Sequence, residues 1–353
     1  MSEKERKFEI SYDKEIAKIF KELNCVIAIT TYQAGKVIFI GSENGEKLFQ
    51  IPISFKKPMG IALLEDKMAI ATLDEIQIYS ASKALAELYP DNPGTYDKLY
   101  LPRATYYSGE TDLHDLGFGN GGLWAVNTRF SCISTYDINY SFTPRWKPPF
   151  ITEHKPQDRC HLNGMAMIDK TPAYVTALSK TDSPEGWRED ITKSGVLMKV
   201  PSGEIILDNL PMPHSPRIID GSLYLLLSAS GELVKVDVEN KTYEVIIKID
   251  GFIRGLAQHD NYLFIGLSMV RKTSKTFSKL PVSEMADYAG IVVYDLKNNR
   301  KVGEIKYNTT VEEIYDVQVL PNTTKPGLIP ASNEKHKSAV TTKNISFWKK
   351  GNN

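Results

Sequence analysis

Three of the six histidines in this 353-residue chain, His114, His161 and His214, stand in similar surroundings: DLHDLGF, DRCHLNGMA and MPHSPRII. Each lies at the start of a short apolar run. Neutral imidazoles gathered on one axis are the ligands that Zn²⁺, Fe²⁺ and Cu ions take. Asp112, Asp115 and Asn163 flank them and could add an oxygen ligand or fix a ring tautomer. The expectation is a divalent transition metal (Fe, Cu or Zn) on His114, His161 and His214. The bland alternative is that each ring is an ordinary structural histidine.

A second group reads as substrate-handling. Arg217 follows His214, Arg254 opens a later apolar strand, and Asp316 lies in the last one, just after Glu312 and Glu313. The arginine fork suits carboxylates and phosphates, so the expected substrate is a small anionic molecule. Asp112, Asn163, Arg217, Arg254 and Asp316 are the candidate catalytic residues. Pairing of each arginine with a carboxylate of a neighbouring element is an equal reading for Arg217. It is the preferred one for Arg129, in WAVNTRF. Cys160 beside His161 invites a nucleophile reading. Adjacent residues on a strand point apart, however, so a buried thiol is preferred. No HExxH, GxSxG, Walker or GxGxxG pattern occurs.

The elements that must position these residues are strands. Helical periodicity appears only over Tyr12–Leu23, with Ile16, Ile19, Phe20 and Leu23 on one face, and over the short Ala81–Leu88. Six segments repeat a pattern of apolar strand, turn and second apolar strand at intervals of about 50 residues, as propeller blades do. In them Gly60, Asp115, Gly164, Pro216, Gly255 and Asp316 form one column. The sixth copy, IYDVQVLP, lacks its partners. Three orphan strands at the other end, VIAITTY, GKVIFIGS and EKLFQIPI, supply them. The fold expected is an all-β, six-bladed propeller whose N-terminal strands close the last blade.

The expected divisions are a helical extension (1–24), the propeller (25–330) and a polar, disordered tail (331–353). Long insertions at Thr152–Cys160, Thr181–Ser194 and Lys272–Ala289 fall on one face, around the channel mouth. The histidines nevertheless start at different heights. Relative to the column, His114 lies one residue before, His214 two and His161 three. On unbent strands neighbouring heights face opposite sides, which would keep the rings apart.

With 43 basic and 43 acidic residues, nothing asks for nucleic acid. The charged start MSEKERKFEI is no signal peptide, and no apolar run could span a bilayer. Three cysteines without a CxxC pair suit a reducing, cytoplasmic location.

The runs DLHDLGFGNGGLWAVNTRF, DRCHLNGMA, GWRE, MPHSPRIIDGSLYLLLSASGEL, FIRGLAQHDNYLFIGLSMVR and EEIYDVQVLPN resemble, in this order, one bacterial family. It is the TIGR03032 family, related to the domain of unknown function DUF4915. The resemblance implies a propeller and motif positions around His114, His161 and His214, but no reaction. A looser comparison is with gluconolactonase- and paraoxonase-like propellers, which hold calcium through Asn, Asp and Glu. Only Asn163, Asp316 and Glu313 could play that part here, and histidine is a poor calcium ligand.

Two functions follow. One is a metal-dependent enzyme acting on a small anionic substrate at the channel mouth, by hydrolysis, lyase or isomerase chemistry, or with oxygen. The other is a non-catalytic propeller that binds a protein or peptide over its loop face. The best patch for such a partner is the 272–288 insertion, KTSKTFSKLPVSEMADY. The three-histidine excess favours the enzyme.

Overall fold

The computed structural model describes residues 8–270 and 277–349. Within them the chain forms six four-stranded antiparallel blades around a central channel. Blade 1 is Ile61–Leu64, Lys67–Ala71, Glu75–Ser82 and Lys98–Tyr107, from the axis outward. Blade 2 is Leu113–Gly119, Gly122–Asn127, Cys132–Thr135 and Thr143–Trp146. Blade 3 follows with Leu162–Ile168, Thr171–Ala177, Gly195–Lys199 and Ile205–Leu210. Blade 4 is Pro213–Ile219, Ser222–Leu227, Glu232–Asp237 and Thr242–Lys248, and blade 5 is Phe252–His259, Tyr262–Ser268, Ala289–Asp295 and Arg300–Tyr307.

Blade 6 joins the two ends of the chain. Val317–Pro321 lies innermost and pairs with Cys25–Thr31, which carries Lys36–Gly41 and Phe49–Ser54 outside it. The expected closure is therefore present. It gives every inner strand a second-strand partner and joins the two ends of the chain in one sheet.

The column seen in the sequence has a packing cause. Glycine alternates with a larger residue around the axis, and each glycine faces the larger residue of the next blade. A Cβ at Gly60 would stand 3.0 Å from Asp115 Cα, and one at Gly164 would overlap the Pro216 ring. The inner strands converge at this level, and there is room for one side chain per pair of blades. The larger positions then grip the blade beyond. Asp115 accepts from Met165 N, Asp316 from Ile61 N, and Ser215, beside Pro216, from Gly255 N, each at 3.0 Å.

Hydroxyls at the ends of second strands repeat the device at the mouth. Thr128, Ser228, Ser268 and Thr30 donate to the carbonyls of Leu162, Ile253, Ile314 and Met59, each in the following blade. Such buried bonds are worth about 1 kcal/mol apiece and fix where each inner strand begins.

The N-terminal helix, α1 (Lys14–Glu22), buries Ile16, Ile19 and Phe20, with Phe20 stacked on Phe264 of blade 5. Ahead of it, Ile10–Tyr12 adds an outer strand to blade 5. The second helix, α2 (Lys83–Glu87), precedes the outer strand of blade 1. Further strands follow blade 6. Pro326–Leu328 pairs in parallel with Lys98–Tyr100, and a hairpin of Ala339–Thr341 and Ser346–Trp348 folds back. Trp348 Nε1 donates to Leu85 O on α2, and its ring meets Tyr89. One tryptophan supplies the apolar anchor that the polar composition obscured. Residues 350–353 lie outside the described residues. Among the described residues no helix is long and apolar enough to cross a membrane.

Candidate functional site

Two of the three histidines, His114 and His161, are in ring contact at the channel mouth, where the inner strands are bulged as they begin. In blade 2, Leu113 pairs with Asn127 and Asp115 with Val126, so His114 is the extra, unpaired residue. The registers of blades 3 and 4 slip at Leu162/Gly164 and at His214/Arg217. Asp112, Asp158, His161, Met212 and Ser215 all have φ between 44° and 55°. A bulge turns a strand and re-aims its side chains, which lets His114 and His161 meet from different heights. The ring centroids of His114 and His161 are 4.8 Å apart with perpendicular planes. His214 lies within electrostatic reach of both.

Each ring is anchored through Nδ1. That of His114 lies 3.0 Å from Asp112 O, and that of His214 lies 3.1 Å from Met212 O and 2.9 Å from Ser228 Oγ. The Ser228 hydroxyl is committed to Ile253 O, so it accepts from the imidazole. His161 Nδ1 faces both carboxylate oxygens of Asp158, at 2.9 and 3.1 Å. These partners place the proton on Nδ1 and leave Nε2 with its lone pair. Burial holds the pKa of His114 and His214 well below the usual imidazole range, and the Arg254 charge adds to it.

Asp158 is the buried centre of this side of the site. It also accepts from Trp187 Nε1 at 3.0 Å, and the Trp187 ring packs 4.3 Å from that of His161. Trp187 comes from the GWRE turn of the 181–194 insertion. Its apolar neighbours are Met212, Phe252, Leu280 and Val282, which form a small core over the mouth. Leu280, Val282 and Ala286 of the 272–288 insertion belong to this roof. Residues 272–276 of that insertion lie outside the described residues.

Of the predicted catalytic residues, Arg254 is the one that faces the histidines. Its guanidinium lies 3.4 Å above the Tyr315 ring, and Nη1 is 3.6 Å from Glu313 Oε1. Tyr315 in turn packs against His114, with centroids 5.2 Å apart. Its hydroxyl is buried and has no hydrogen-bond partner among the described residues. Beside Arg254 opens a cavity of about 500 Å³ lined by Tyr32, Phe252, Met269, Phe277 and Glu313.

The other candidates are placed elsewhere. Arg217 is enclosed in the channel, 2.7 Å from Asp115 Oδ2 and 3.4 Å from Asp316 Oδ1, and also donates to Met165 O. Both carboxylates are tied to backbone amides of the next blade. Arg217 and Asp316 therefore brace blades, the pairing that was an equal reading for Arg217. Asn163 is also consumed, donating to Pro213 O at 3.1 Å and accepting from Thr176 at 2.7 Å. Asp112 pairs with Arg129 at 2.9 Å, the preferred reading for that arginine, and its carbonyl orients His114. Cys160 is buried and its thiol is pushed up to about 12, which leaves it no nucleophile at neutral pH.

Sequence reasoning missed Asp158, Trp187 and Tyr315. Their signals were present: Asp158 lies three residues before His161, and the other two sit in GWRE and EEIYD. Among the described residues, no group of three or more His, Cys, Asp or Glu side chains is disposed to hold a metal ion.

A closed six-bladed propeller with a histidine- and arginine-lined mouth is the class these features define. The chain belongs to the family of the domain of unknown function DUF4915, whose sequence profile matches residues 14–329. No curated protein sequence matches it. Among solved structures, a chain in the crystal structure of a nidogen/laminin complex is similar in fold, with a TM-score of 0.53 and 9% identity. The match covers 84% of this chain and 99% of that one.

Proposed function

We propose that the channel mouth is the active site of an enzyme acting on a small anionic substrate. The observation that carries this reading is the anchored imidazole cluster, with the His161–Asp158 pair at its centre. A carboxylate that holds Nδ1–H leaves Nε2 as a proton acceptor of fixed direction and stabilises the imidazolium formed on accepting a proton. Arg254 is the cation that holds the substrate, and the Tyr315 hydroxyl is a donor awaiting an acceptor. This chemistry fits an isomerase, a lyase or a hydrolase. The test is turnover of a mixture of small carboxylates and phosphates, followed by mass spectrometry. Conversion by the wild type that is lost in His161→Gln and reduced in Asp158→Asn is expected. Conversion unchanged in both variants would overturn the proposal.

A second reading rests on the same anchors. Histidines that ligate a metal give their other ring N–H to a carbonyl or carboxylate, as these three do. His114, His161 and His214 would then hold Fe, Cu or Zn, which would supply a Lewis acid or an activated water. Metal content of protein purified without an affinity tag, compared with the three His→Ala variants, decides it. The alternative of a protein bound over the loop face is what turnover and metal failing together would favour; a propeller suits that role in general.

A further inference from the structure

The tail hairpin has two unlike faces. Its strands, Ala339–Thr341 and Ser346–Trp348, set Ala339 opposite Trp348, Val340 opposite Phe347 and Thr341 opposite Ser346. The ladder runs on at both ends, because Thr342 N donates to Ile345 O and Lys349 N to Ser338 O. Side chains alternate between the faces of such a ribbon. One face carries Ala339, Thr341 and Trp348 and is seated on blade 1. There Trp348 Nε1 donates to Leu85 O, and Arg103 Nη2 donates to Thr341 Oγ1 at 2.8 Å. The other face carries Val340, Ile345 and Phe347, which are 38%, 61% and 45% exposed. Neighbouring apolar side chains left in water together mark an interaction surface, where single ones do not.

The charges beside this face are of one sign. Residues 331–349 hold four lysines against one acid, Glu334, a net charge of +3 with His336 neutral, in a chain whose total is zero. Lys335 and Lys337 are paired with Asp91 and Glu334. Lys343 at the hairpin tip and Lys349 at its base are exposed, and neither ammonium has a partner among the described residues. A second copy docked on this face by a two-fold axis would bring these cations against their own kind. An anionic bilayer answers both features. Its acyl boundary takes apolar groups of any shape, and its headgroups take the lysines.

We propose that this hairpin is a docking surface for an anionic lipid membrane, with Ile345 and Phe347 entering the interface and Lys343 and Lys349 on the headgroups. The contact is peripheral and reversible, and it is independent of the chemistry at the channel mouth.

Co-sedimentation of the full chain with vesicles tests it, using phosphatidylcholine alone or equal parts phosphatidylcholine and phosphatidylglycerol. The anionic vesicles are expected to bind about tenfold more tightly than the neutral ones, and high salt to release the chain. Two double variants, Ile345→Ser with Phe347→Ser and Lys343→Gln with Lys349→Gln, are each expected to weaken binding by about tenfold. Their melting temperatures should match the wild type, since all four side chains are exposed. Absence of binding to anionic vesicles would overturn the proposal, as would binding that the lysine pair weakens and the apolar pair leaves intact. A wild type that is dimeric by light scattering, and monomeric once Ile345 and Phe347 are replaced, would overturn it in favour of a second copy.

Discussion

His161 Nδ1 lies 2.9 Å from Asp158 Oδ2, and the same oxygen accepts from Trp187 Nε1 at 3.0 Å. One buried carboxylate thus joins a channel histidine to the roof of the mouth. Asp158→Ala leaves two buried N–H groups without an acceptor, at about 1–3 kcal/mol each. The expected loss is about 3 kcal/mol in total. Denaturant unfolding should show it as a lower midpoint with an unchanged slope. Asp158→Asn keeps the size and one acceptor oxygen, and should recover part of the loss.

The central brace gives a second expectation. Arg217 is shared by Asp115 and Asp316, which come from blades 2 and 6. Removing one partner of a buried pair is costly because it strands the other's charge. Asp115→Ala, which also frees Met165 N, should therefore cost about 3 kcal/mol and act on the whole fold. A matching loss of hydrogen-exchange protection across all inner strands would distinguish this from a local effect.

Stability should fall in acid. Burial holds His114 and His214 below the free imidazole value of about 6.5, so the unfolded chain binds the extra protons first. Their contribution is complete above about pH 6.5 and is lost as pH falls below it. Asp316 works the other way. Burial and the Asp115 charge push it up to about 6, against the pull of Arg217, so the folded state takes up a proton more readily than the unfolded one. That contribution is present below the unfolded value of about 3.9 and is lost as pH rises to about 6. His214→Gln should flatten the acid limb of the melting profile, and Asp316→Asn should steepen it.

The tail should open before the propeller does. Trp348 is its apolar anchor on α2, and the hairpin packs on the outer edge of blade 1, remote from the channel. Trp348→Ala should release 331–349 to limited proteolysis while moving the global melting temperature by only a few degrees. Loss of cooperative melting in this variant would contradict that.

Much of this architecture was legible. The repeat fixed the blade count, and the orphan strands at either end implied the closure that Cys25–Pro321 and Ile29–Val317 pairing realises. The Gly60–Asp316 column was visible as a pattern, but its alternation acquires meaning only when Gly164 is seen against Pro216. The site was harder to read. Arg217 resembled a substrate arginine because its partners lie 102 and 99 residues away in the chain. The histidines appeared to start at incompatible heights because a bulge such as that at His114 leaves no mark in residue types. Tyr315 and Asp158 passed as strand and loop residues, since nothing local tells which side chain will be buried against an imidazole.

The most direct test is a thermal-shift screen of small anions against the wild type and Arg254→Gln. Arg254 lines the cavity and faces the histidines, and its removal leaves the Arg217 brace intact. At least one small carboxylate or phosphate compound should raise the wild-type melting temperature by several degrees and leave the variant unmoved, since saturation at 100 times Kd adds about 2.7 kcal/mol. Identical responses of the two proteins across the screen would contradict a small-molecule site at the channel mouth.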